Sequence, residues 1–170
     1  MPLTLLLLAA VTLQRLGELV LDRRNTRRLL AQGAYEVGAA HYPLMLALHT
    51  SWLAGLWIFG WRHPVQFGWF WLFLALQGLR VWVLASLGKR WTTRVMILPG
   101  APLVRRGPYR WVSHPNYAVV VCELAVLPLC LGLPIFAAVF TALNAAVLFI
   151  RIRSENAGLM SATEPAKSPP

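Results

Sequence analysis

The sequence predicts an all-α polytopic membrane protein with about five transmembrane helices, the last two forming a helical hairpin. Hydrophobic residues make up 58% of the 170 residues and charged residues only 13%, which argues against a water-soluble domain. The apolar residues gather in segments of roughly 20 residues, the length that crosses a hydrocarbon core about 30 Å thick. The basic residues gather between these segments. The chain is therefore predicted to act in or beside a bilayer.

The apolar segments follow one another with little room for other structure. The first is predicted to be a retained helix and not a cleaved signal peptide, because it lacks a basic start and is interrupted by Arg15 and Glu18. Pro128, Gly132 and Pro134 divide the last apolar stretch into the two short helices of the hairpin. We predict one membrane domain over residues 1–160 and a disordered tail over residues 161–170. The segments lie at about residues 2–20, 41–60, 66–87, 117–133 and 134–150.

The positions of the basic residues predict the topology. They follow the first helix, fill the connection between the third and fourth helices, and follow the fifth, whereas Arg62 lies on the opposite side. Because basic connections stay in the cytoplasm, we predict the N-terminus outside and the C-terminus in the cytoplasm. Anionic headgroups explain the net charge of +10, and nucleic acid is not an expected partner.

Ionisable side chains inside the apolar segments are costly in lipid and indicate either pairing or function. Arg15 and Glu18 lie three residues apart and can pair along the first helix, with a role in a site as an equal alternative. Arg80 is interpreted first as extending its charged end to the membrane interface, with ligand contact as the alternative. Glu123 must be protonated, paired or facing a polar cavity, and Arg80 is a plausible partner.

His41 and His49 lie eight residues apart, broadly on one side of the second helix. A metal site would need more ligands, and no carboxylate or cysteine stands at a suitable spacing, so no metal is predicted. Packing or hydrogen bonding to a neighbouring helix is the expected role of these histidines. Contact with an acceptor substrate is the alternative.

The segment GPYRWVSHPNY, residues 107–117, concentrates polar groups in an otherwise apolar chain. Gly107 and Pro108 predict a turn, and Pro115 suits the first turn of a helix, so the fourth helix should begin here. The free backbone N–H groups of this helix would adjoin His114 and Asn116 and could receive a carboxylate or a phosphate. The alternative is an interfacial anchor, in which the aromatic side chains lie at headgroup level.

A second polar cluster favours a ligand site over an anchor. Arg151 and Glu155 lie four residues apart on one face of the continuing fifth helix, and the hairpin returns them beside the start of the fourth helix. The two clusters together offer cationic groups for a carboxylate and Glu155 for an amino group. S-adenosylmethionine carries both groups.

These motifs resemble the isoprenylcysteine carboxyl methyltransferases, integral membrane enzymes related to the phospholipid N-methyltransferases. The similarity covers about residues 78–159 and rests on three elements: Gly107 to Arg110, His114 to Tyr117, and Arg151 with Glu155 and Leu159. It implies that S-adenosylmethionine binds in a cytoplasm-facing pocket and that a lipophilic acceptor enters from the bilayer. The cofactor-binding residues that it implies are Gly107, Tyr109, Arg110, His114, Pro115, Asn116, Tyr117, Arg151 and Glu155.

The upstream sequences LQRLGELVLDRRN, HYPLMLALH and LGKRWTTRVMILPG are similar to a short bacterial branch of this family, which implies a location in a bacterial plasma membrane. Some members of that branch methylate long-chain alkylpyrones or alkylresorcinols, which implies an acceptor different from a prenylcysteine. Two positions depart from the family pattern: Ser113 stands where arginine is usual, and Asn156 replaces a second acidic residue. Arg110 or Arg106 is expected to supply the missing positive charge.

The resulting hypothesis is an S-adenosylmethionine-dependent O-methyltransferase that acts on a lipophilic small molecule. The alternatives are a phospholipid N-methyltransferase and a non-catalytic membrane transporter or subunit. A carboxylate acceptor needs no base, whereas a phenol or hydroxypyrone benefits from one, for which His49, His114 and Glu123 are candidates. The predicted catalytic residues are His114, Glu123 and Arg151, and the predicted substrate-binding residues are His49, Arg80 and Glu123.

Overall fold

The computed structural model describes residues 1–163, which contain five α-helices and two short strands joined by loops and short 3₁₀ turns. The side chains of residues 154 and 156–163 are outside this description, as are residues 164–170, which hold most of the predicted tail. The helices are α1 (Pro2–Ala31), α2 (Tyr42–Gly55), α3 (Phe67–Leu87), α4 (Pro115–Cys130) and α5 (Pro134–Thr163). A π-helical turn, Leu56–Gly60, continues α2, and the strands are β1 (Tyr35–Val37) and β2 (Val95–Ile97).

Four of these helices have the length and composition of membrane spans: α1, α2 with its π-helical turn, α3 and α5. Helix α4 is also apolar, but its 16 residues extend for only about 24 Å. It packs against both α3 and α5. Large apolar side chains such as Leu13, Val20 and Val81 are exposed on the outside of the bundle, as a lipid-facing surface requires. The prediction of an all-α membrane protein with about five helices is confirmed.

Helix α1 is longer than predicted. Its apolar run ends near residue 20, but its 30 residues extend for about 45 Å, well beyond a hydrocarbon core of about 30 Å. Hydrogen bonds to the connection after α3 hold its last turns. Asp22 Oδ1 accepts the backbone N–H of Thr93 at 2.6 Å, and Asn25 Nδ2 donates to the carbonyl oxygen of Trp91 at 2.8 Å. The predicted end was wrong because hydropathy shows where a helix leaves the bilayer and not where it stops.

The predicted hairpin of the last two helices is confirmed, and α4 begins at Pro115 as predicted. Gly132 between them has a φ of 68°, a left-handed conformation that glycine adopts without strain. The N–H of Gln66 donates to the carbonyl oxygen of Cys130 at 2.8 Å, so the α2–α3 connection joins the hairpin tip at this end of the bundle. Helix α5 continues beyond the predicted end near residue 150 and carries residues 151–155 in helical conformation.

The two strands form a small antiparallel sheet that the sequence analysis missed. Glu36 of β1 lies opposite Met96 of β2, and Arg94 next to β2 forms an ion pair with Glu36 at 2.7 Å. The strands have three residues each, too few for an alternating pattern to be recognised. The sheet ties the α1–α2 connection to the α3–α4 connection. It therefore fixes the loop wall of the site described next.

Candidate active site

Two cavities lie side by side at the end of the bundle where α4 begins. The loop cavity, of about 540 Å³, lies between β2, the segment that follows it, the start of α4 and residues 151–155 of α5. The helix cavity, of about 290 Å³, lies among the helices and has mostly apolar walls. Three side chains line both cavities: Asn116, Tyr117 and Arg151. We call these three residues the junction.

A chain of hydrogen bonds connects the two polar clusters predicted from the sequence. Arg151 Nε donates to the hydroxyl of Tyr117 at 2.9 Å, and that hydroxyl donates to Glu155 Oε2 at 2.5 Å. His114 Nδ1 lies 3.9 Å from the same carboxylate oxygen, and its ring stacks on Tyr117 with centroids 5.1 Å apart. The expectation that the start of α4 and the end of α5 come together is thus confirmed.

Local structure explains this arrangement. Pro115 occupies the first turn of α4, where its missing N–H costs nothing, and the next two residues enter the cavity walls. Arg151 and Glu155 are one helical turn apart, so both face α4. Arg151 also contacts the sulfur of Met45 on α2, which brings a third helix to the junction.

Some residues predicted to bind the cofactor line neither cavity. Gly107 has a φ of 56° and packs so tightly against Ser86 and Trp82 of α3 that a Cβ atom would collide with the Ser86 side chain. Arg110 is exposed, with its guanidinium 5.7 Å from the ring centroid of Trp111. Pro115 is buried at the helix start. Gly107 and Pro115 thus shape the loop and the start of α4 from outside both cavity walls.

The loop cavity also contains groups that sequence reasoning assigned differently. Arg105 lines it, whereas Arg106 donates to the carbonyl oxygen of Ser86 at 2.8 Å and is absent from the cavity wall. Of the arginines that line this cavity, Arg105 is the nearest in sequence to Ser113, the position where arginine is usual in the family pattern. Nothing in the sequence showed that Arg105, and not its neighbour Arg106, would reach the cavity. Tyr109 lines the same wall, and burial together with the nearby Tyr117 and Glu155 raises the pKa of its hydroxyl, which keeps it protonated.

Four charged side chains form a buried cluster beside the helix cavity. Glu123 accepts hydrogen bonds from Arg80 at 2.6 Å, Arg15 at 2.8 Å and Gln77 at 2.8 Å. Glu18 is bound by Arg80 at 2.5 Å and by Arg15 at 3.0 Å. We call Arg15, Glu18, Arg80 and Glu123 the charge cluster.

The contacts of the charge cluster test two predictions, the pairing of its members and the placement of Arg80. The predicted pairs Arg15–Glu18 and Arg80–Glu123 are confirmed, but the expectation that Arg80 reaches the membrane interface is wrong, because the residue is only 4% exposed and engages both carboxylates. Arg15, Glu18 and Arg80 line the helix cavity, while Glu123 lies behind them and is absent from both cavity walls.

His49 lines the helix cavity from α2. Its Nδ1 lies 2.9 Å from the carbonyl oxygen of Met45, one turn earlier. Because a carbonyl can only accept, Nδ1 carries the proton in the neutral ring and Nε2 presents its lone pair. Within the described part of the chain, Nε2 has no hydrogen-bond partner. The expected hydrogen bond from His49 to a neighbouring helix is not found among the described residues, because its partner lies one turn earlier on the same helix.

Comparison with known proteins now identifies the family. A sequence model described as the isoprenylcysteine carboxyl methyltransferase family matches residues 69–161, more than half of the 170 residues. The chain belongs to this family. The match includes the start of α4, the junction and Glu155, and it indicates a membrane methyltransferase.

Two bacterial relatives of this family member align over nearly their whole lengths. An uncharacterized protein of Bacillus subtilis, YpbQ, is 36% identical over 159 residues, which cover 91% of this chain and 95% of the relative. An uncharacterized protein of Haemophilus influenzae is 26% identical over 163 residues, covering 89% and 91% respectively. No solved structure matches the chain significantly.

Proposed function

We propose that the protein is an S-adenosylmethionine-dependent O-methyltransferase that acts on a lipophilic small molecule at the membrane. The observation that carries this proposal is the pair of cavities that meet at Asn116, Tyr117 and Arg151. A transfer reaction needs two molecules held in contact, and each cavity would hold one of them. The loop cavity would take the methyl donor, and the helix cavity the acceptor.

The chemistry of the loop cavity fits the donor. Glu155 has one carboxylate oxygen bound by Tyr117, while Oε1 has no partner among the described residues and is available for an amino group. Arg105 and Arg151 place positive charge in the same wall for a carboxylate. A volume of about 540 Å³ lies within the range of small-molecule sites. When bound, S-adenosylmethionine would supply a methyl group already activated on its sulfonium.

The helix cavity fits a lipophilic acceptor. Leu16 of α1 and Leu46 of α2 line this cavity and are also exposed, 54% and 42%, on the lipid-facing surface. The exposure of these two side chains supports an opening of the cavity towards lipid between the two helices. An apolar molecule dissolved in the bilayer would enter without crossing water.

The protein residues would contribute mainly position and proton removal. Holding the acceptor oxygen in line with the methyl group and excluding water supplies most of the rate in such reactions. Of the three candidate bases, His49 lines the acceptor cavity with a free Nε2, His114 lines the donor cavity and Glu123 is fully ion-paired. We therefore assign proton removal from a hydroxyl acceptor to His49.

The proposed location is the bacterial plasma membrane with the loop cavity facing the cytoplasm. Arg23, Arg24, Arg90 and Arg105 are exposed at the end of the bundle that contains the loop cavity, which the positive-inside rule places in the cytoplasm. S-adenosylmethionine is present on that side.

Two measurements test the proposal. Calorimetry of the purified, folded protein in detergent should show binding of S-adenosylhomocysteine, and absence of binding would contradict a methyltransferase that uses this donor. Supplying S-adenosylmethionine with a labelled methyl group to bacterial membrane extracts should then label an apolar phenol, enol or carboxylic acid. Label in phospholipid amines would instead establish the N-methyltransferase alternative.

A further inference from the structure

The segment of residues 107–114 has two sides that face different surroundings. Tyr109 and His114 line the loop cavity. Arg110 and Trp111 line neither cavity and are exposed, Trp111 by 69%. The two sides alternate within a few residues because the chain makes a tight 3₁₀ turn here. The wall of the proposed donor site is therefore also part of the outer surface of the protein.

Trp111 packs against the lipid-facing side of a membrane span. Its ring centroid lies 6.0 Å from that of Trp82, which is itself 46% exposed. Trp82 belongs to α3, which has the length and composition of a membrane span, and lies close to the end of that helix at Leu87. Tryptophan side chains concentrate at the boundary between the hydrocarbon core and the head groups. The contact between the two rings therefore places the outer side of this segment at the level of the lipid head groups.

Two arginines lie at the same level. Arg106 Nε donates to the carbonyl oxygen of Ser86, one turn after Trp82, at 2.8 Å. The guanidinium of Arg110 lies 5.7 Å from the ring centroid of Trp111. Both arginines are exposed, and neither forms an ion pair within the part of the chain whose side chains are described. Their positive charge is thus not neutralised by this part of the protein.

This surface differs from other basic residues at the same end of the bundle. Arg23 and Arg24 of α1 are also exposed, but among the described residues neither contacts an aromatic ring. Net positive charge attracts anionic lipid to all of these residues. The paired indole rings add a fixed depth in the membrane, and the two arginines beside them add donors for a phosphate. Phosphatidylcholine carries the same phosphate, but its ammonium group cancels the charge.

We propose that Trp82, Arg106, Arg110 and Trp111 form a binding surface for the head group of an anionic phospholipid. We call these four residues the head-group surface. Because Arg110 and Trp111 directly follow Tyr109 of the cavity wall, a lipid bound there holds the wall in place and favours binding of the methyl donor. This second step rests on the proposed function, since it treats the loop cavity as the donor site. The lipid-binding surface itself does not depend on it.

Photolabelling in a bilayer tests where the anionic lipid binds. Phosphatidylglycerol and phosphatidylcholine, each with a diazirine beside the phosphate, are added separately to phosphatidylcholine discs that hold the wild-type protein. Peptides containing Trp82 or Trp111 should be labelled at least about fivefold more by the anionic probe, because one basic residue near the membrane surface contributes about that factor. Equal labelling would overturn the proposal. Competition by soluble glycerol phosphate at the same concentration would assign the site to a free anion and would also overturn it.

Matched substitutions distinguish the head-group surface from diffuse charge. Arg110→Gln should lower the preference for the anionic probe about fivefold, and Arg110→Lys should keep it, because the charge remains. Arg24→Gln, which removes another exposed charge at the same end of the bundle, should leave the preference unchanged. Equal losses in Arg110→Gln and Arg24→Gln would show a general attraction without a site. Should Arg110→Gln fail to fold, Trp111→Ser decides, because loss of the ring should reduce anionic labelling at Trp82.

Donor affinity tests the coupling separately. The wild type should bind S-adenosylhomocysteine at least about fivefold more tightly in discs that contain phosphatidylglycerol, which is the lower end of typical coupling between sites. This gain should disappear in Arg110→Gln and persist in Arg62→Gln, whose guanidinium lies 4.4 Å from the ring centroid of Trp61 at the opposite end of the bundle. The gain compares two lipids within one variant, so a change in basal affinity cancels.

The outcomes separate the lipid surface from the proposed function. Equal donor affinity in the two lipids, despite preferential anionic labelling, would overturn the coupling and leave the lipid-binding surface in place. Absence of S-adenosylhomocysteine binding in every lipid would contradict the proposed function, while the labelling experiment would still decide whether the head-group surface binds anionic lipid.

Discussion

The charge cluster and the helix cavity are neighbouring polar regions that differ in how completely their groups are paired. In the charge cluster, both carboxylates bind two arginines each, and Glu123 is fully buried. In the wall of the cavity next to it, Asn116 and Asn144 have no partner in the described chain. The burial of paired groups is explained by the helices that these groups hold together. A buried polar atom without a partner, by contrast, lowers the stability of the fold.

The two regions also join different helices. The charge cluster links α1, α3 and α4, whereas the junction links α4 and α5 and reaches α2 through Met45. In a bilayer, helices gain little from apolar contact with one another, so buried ion pairs and hydrogen bonds contribute to specific association. The difference therefore predicts that substitutions in the charge cluster change stability, while substitutions around the cavities change binding and turnover.

The largest effect is expected for Glu123→Ala. It leaves Arg80 and Arg15 with a single shared carboxylate in a buried site, and removing one partner of a buried ion pair costs about 3–5 kcal/mol. Thermal unfolding in detergent, followed by tryptophan fluorescence, should show a large decrease in the midpoint. Glu36→Ala is the control, since its pair with Arg94 is partly exposed and worth at most about 1 kcal/mol. Equal losses in the two variants would contradict a structural role for the charge cluster.

The next effect concerns turnover. His49→Phe removes the proposed base, and general bases contribute about 10²-fold to 10⁴-fold to rate, so methylation of a hydroxyl acceptor should fall at least about 100-fold. Affinity for S-adenosylhomocysteine should stay the same, because His49 does not line the loop cavity. His41→Gln, outside both cavity walls, is the control. If the His49→Phe protein kept its activity, a group other than His49 would have to remove the proton.

The sequence predicted the helices and the meeting of the two polar clusters, but it missed part of the site for physical reasons. Hydropathy and proline positions are local signals, and they located α4 and the hairpin correctly. The pairing of Arg80 with Glu123 was predicted, but Arg80 was still placed at the interface because its second partner, Glu18, lies 62 residues away in sequence and was not recognised. Asn144 was missed since a lone asparagine in an apolar helix shows nothing of what faces it. Whether a side chain finds a partner depends on the tertiary structure, and local sequence signals do not show it.

A smaller effect is expected for Glu155→Gln. The substitution keeps the shape and the hydrogen bond from Tyr117 but removes the charge proposed to hold the donor's amino group. Hydrogen bonds to charged groups contribute about 1.5–3 kcal/mol, so affinity for S-adenosylhomocysteine should fall about tenfold or more. The thermal midpoint should change little, because the side chain of Glu155 is 24% exposed. Calorimetry measures the affinity, and a thermal unfolding curve measures the midpoint. A loss of stability without a loss of affinity would show that Glu155 has a structural role.

The smallest effect is expected for Arg105→Gln, and its salt dependence distinguishes the roles of Arg105 and Glu155 in the loop cavity. Arg105 is exposed in the wall of the loop cavity, so its attraction for a carboxylate is screened and worth about 1 kcal/mol or less, about fivefold at most in donor affinity. Because the Debye length falls from about 10 Å at 0.1 M salt to about 3 Å at 1 M, the difference from wild type should disappear at high salt. The loss caused by Glu155→Gln should persist there, since part of it is a direct hydrogen bond. A salt-independent defect in Arg105→Gln would show that Arg105 contacts the donor within a site closed to solvent.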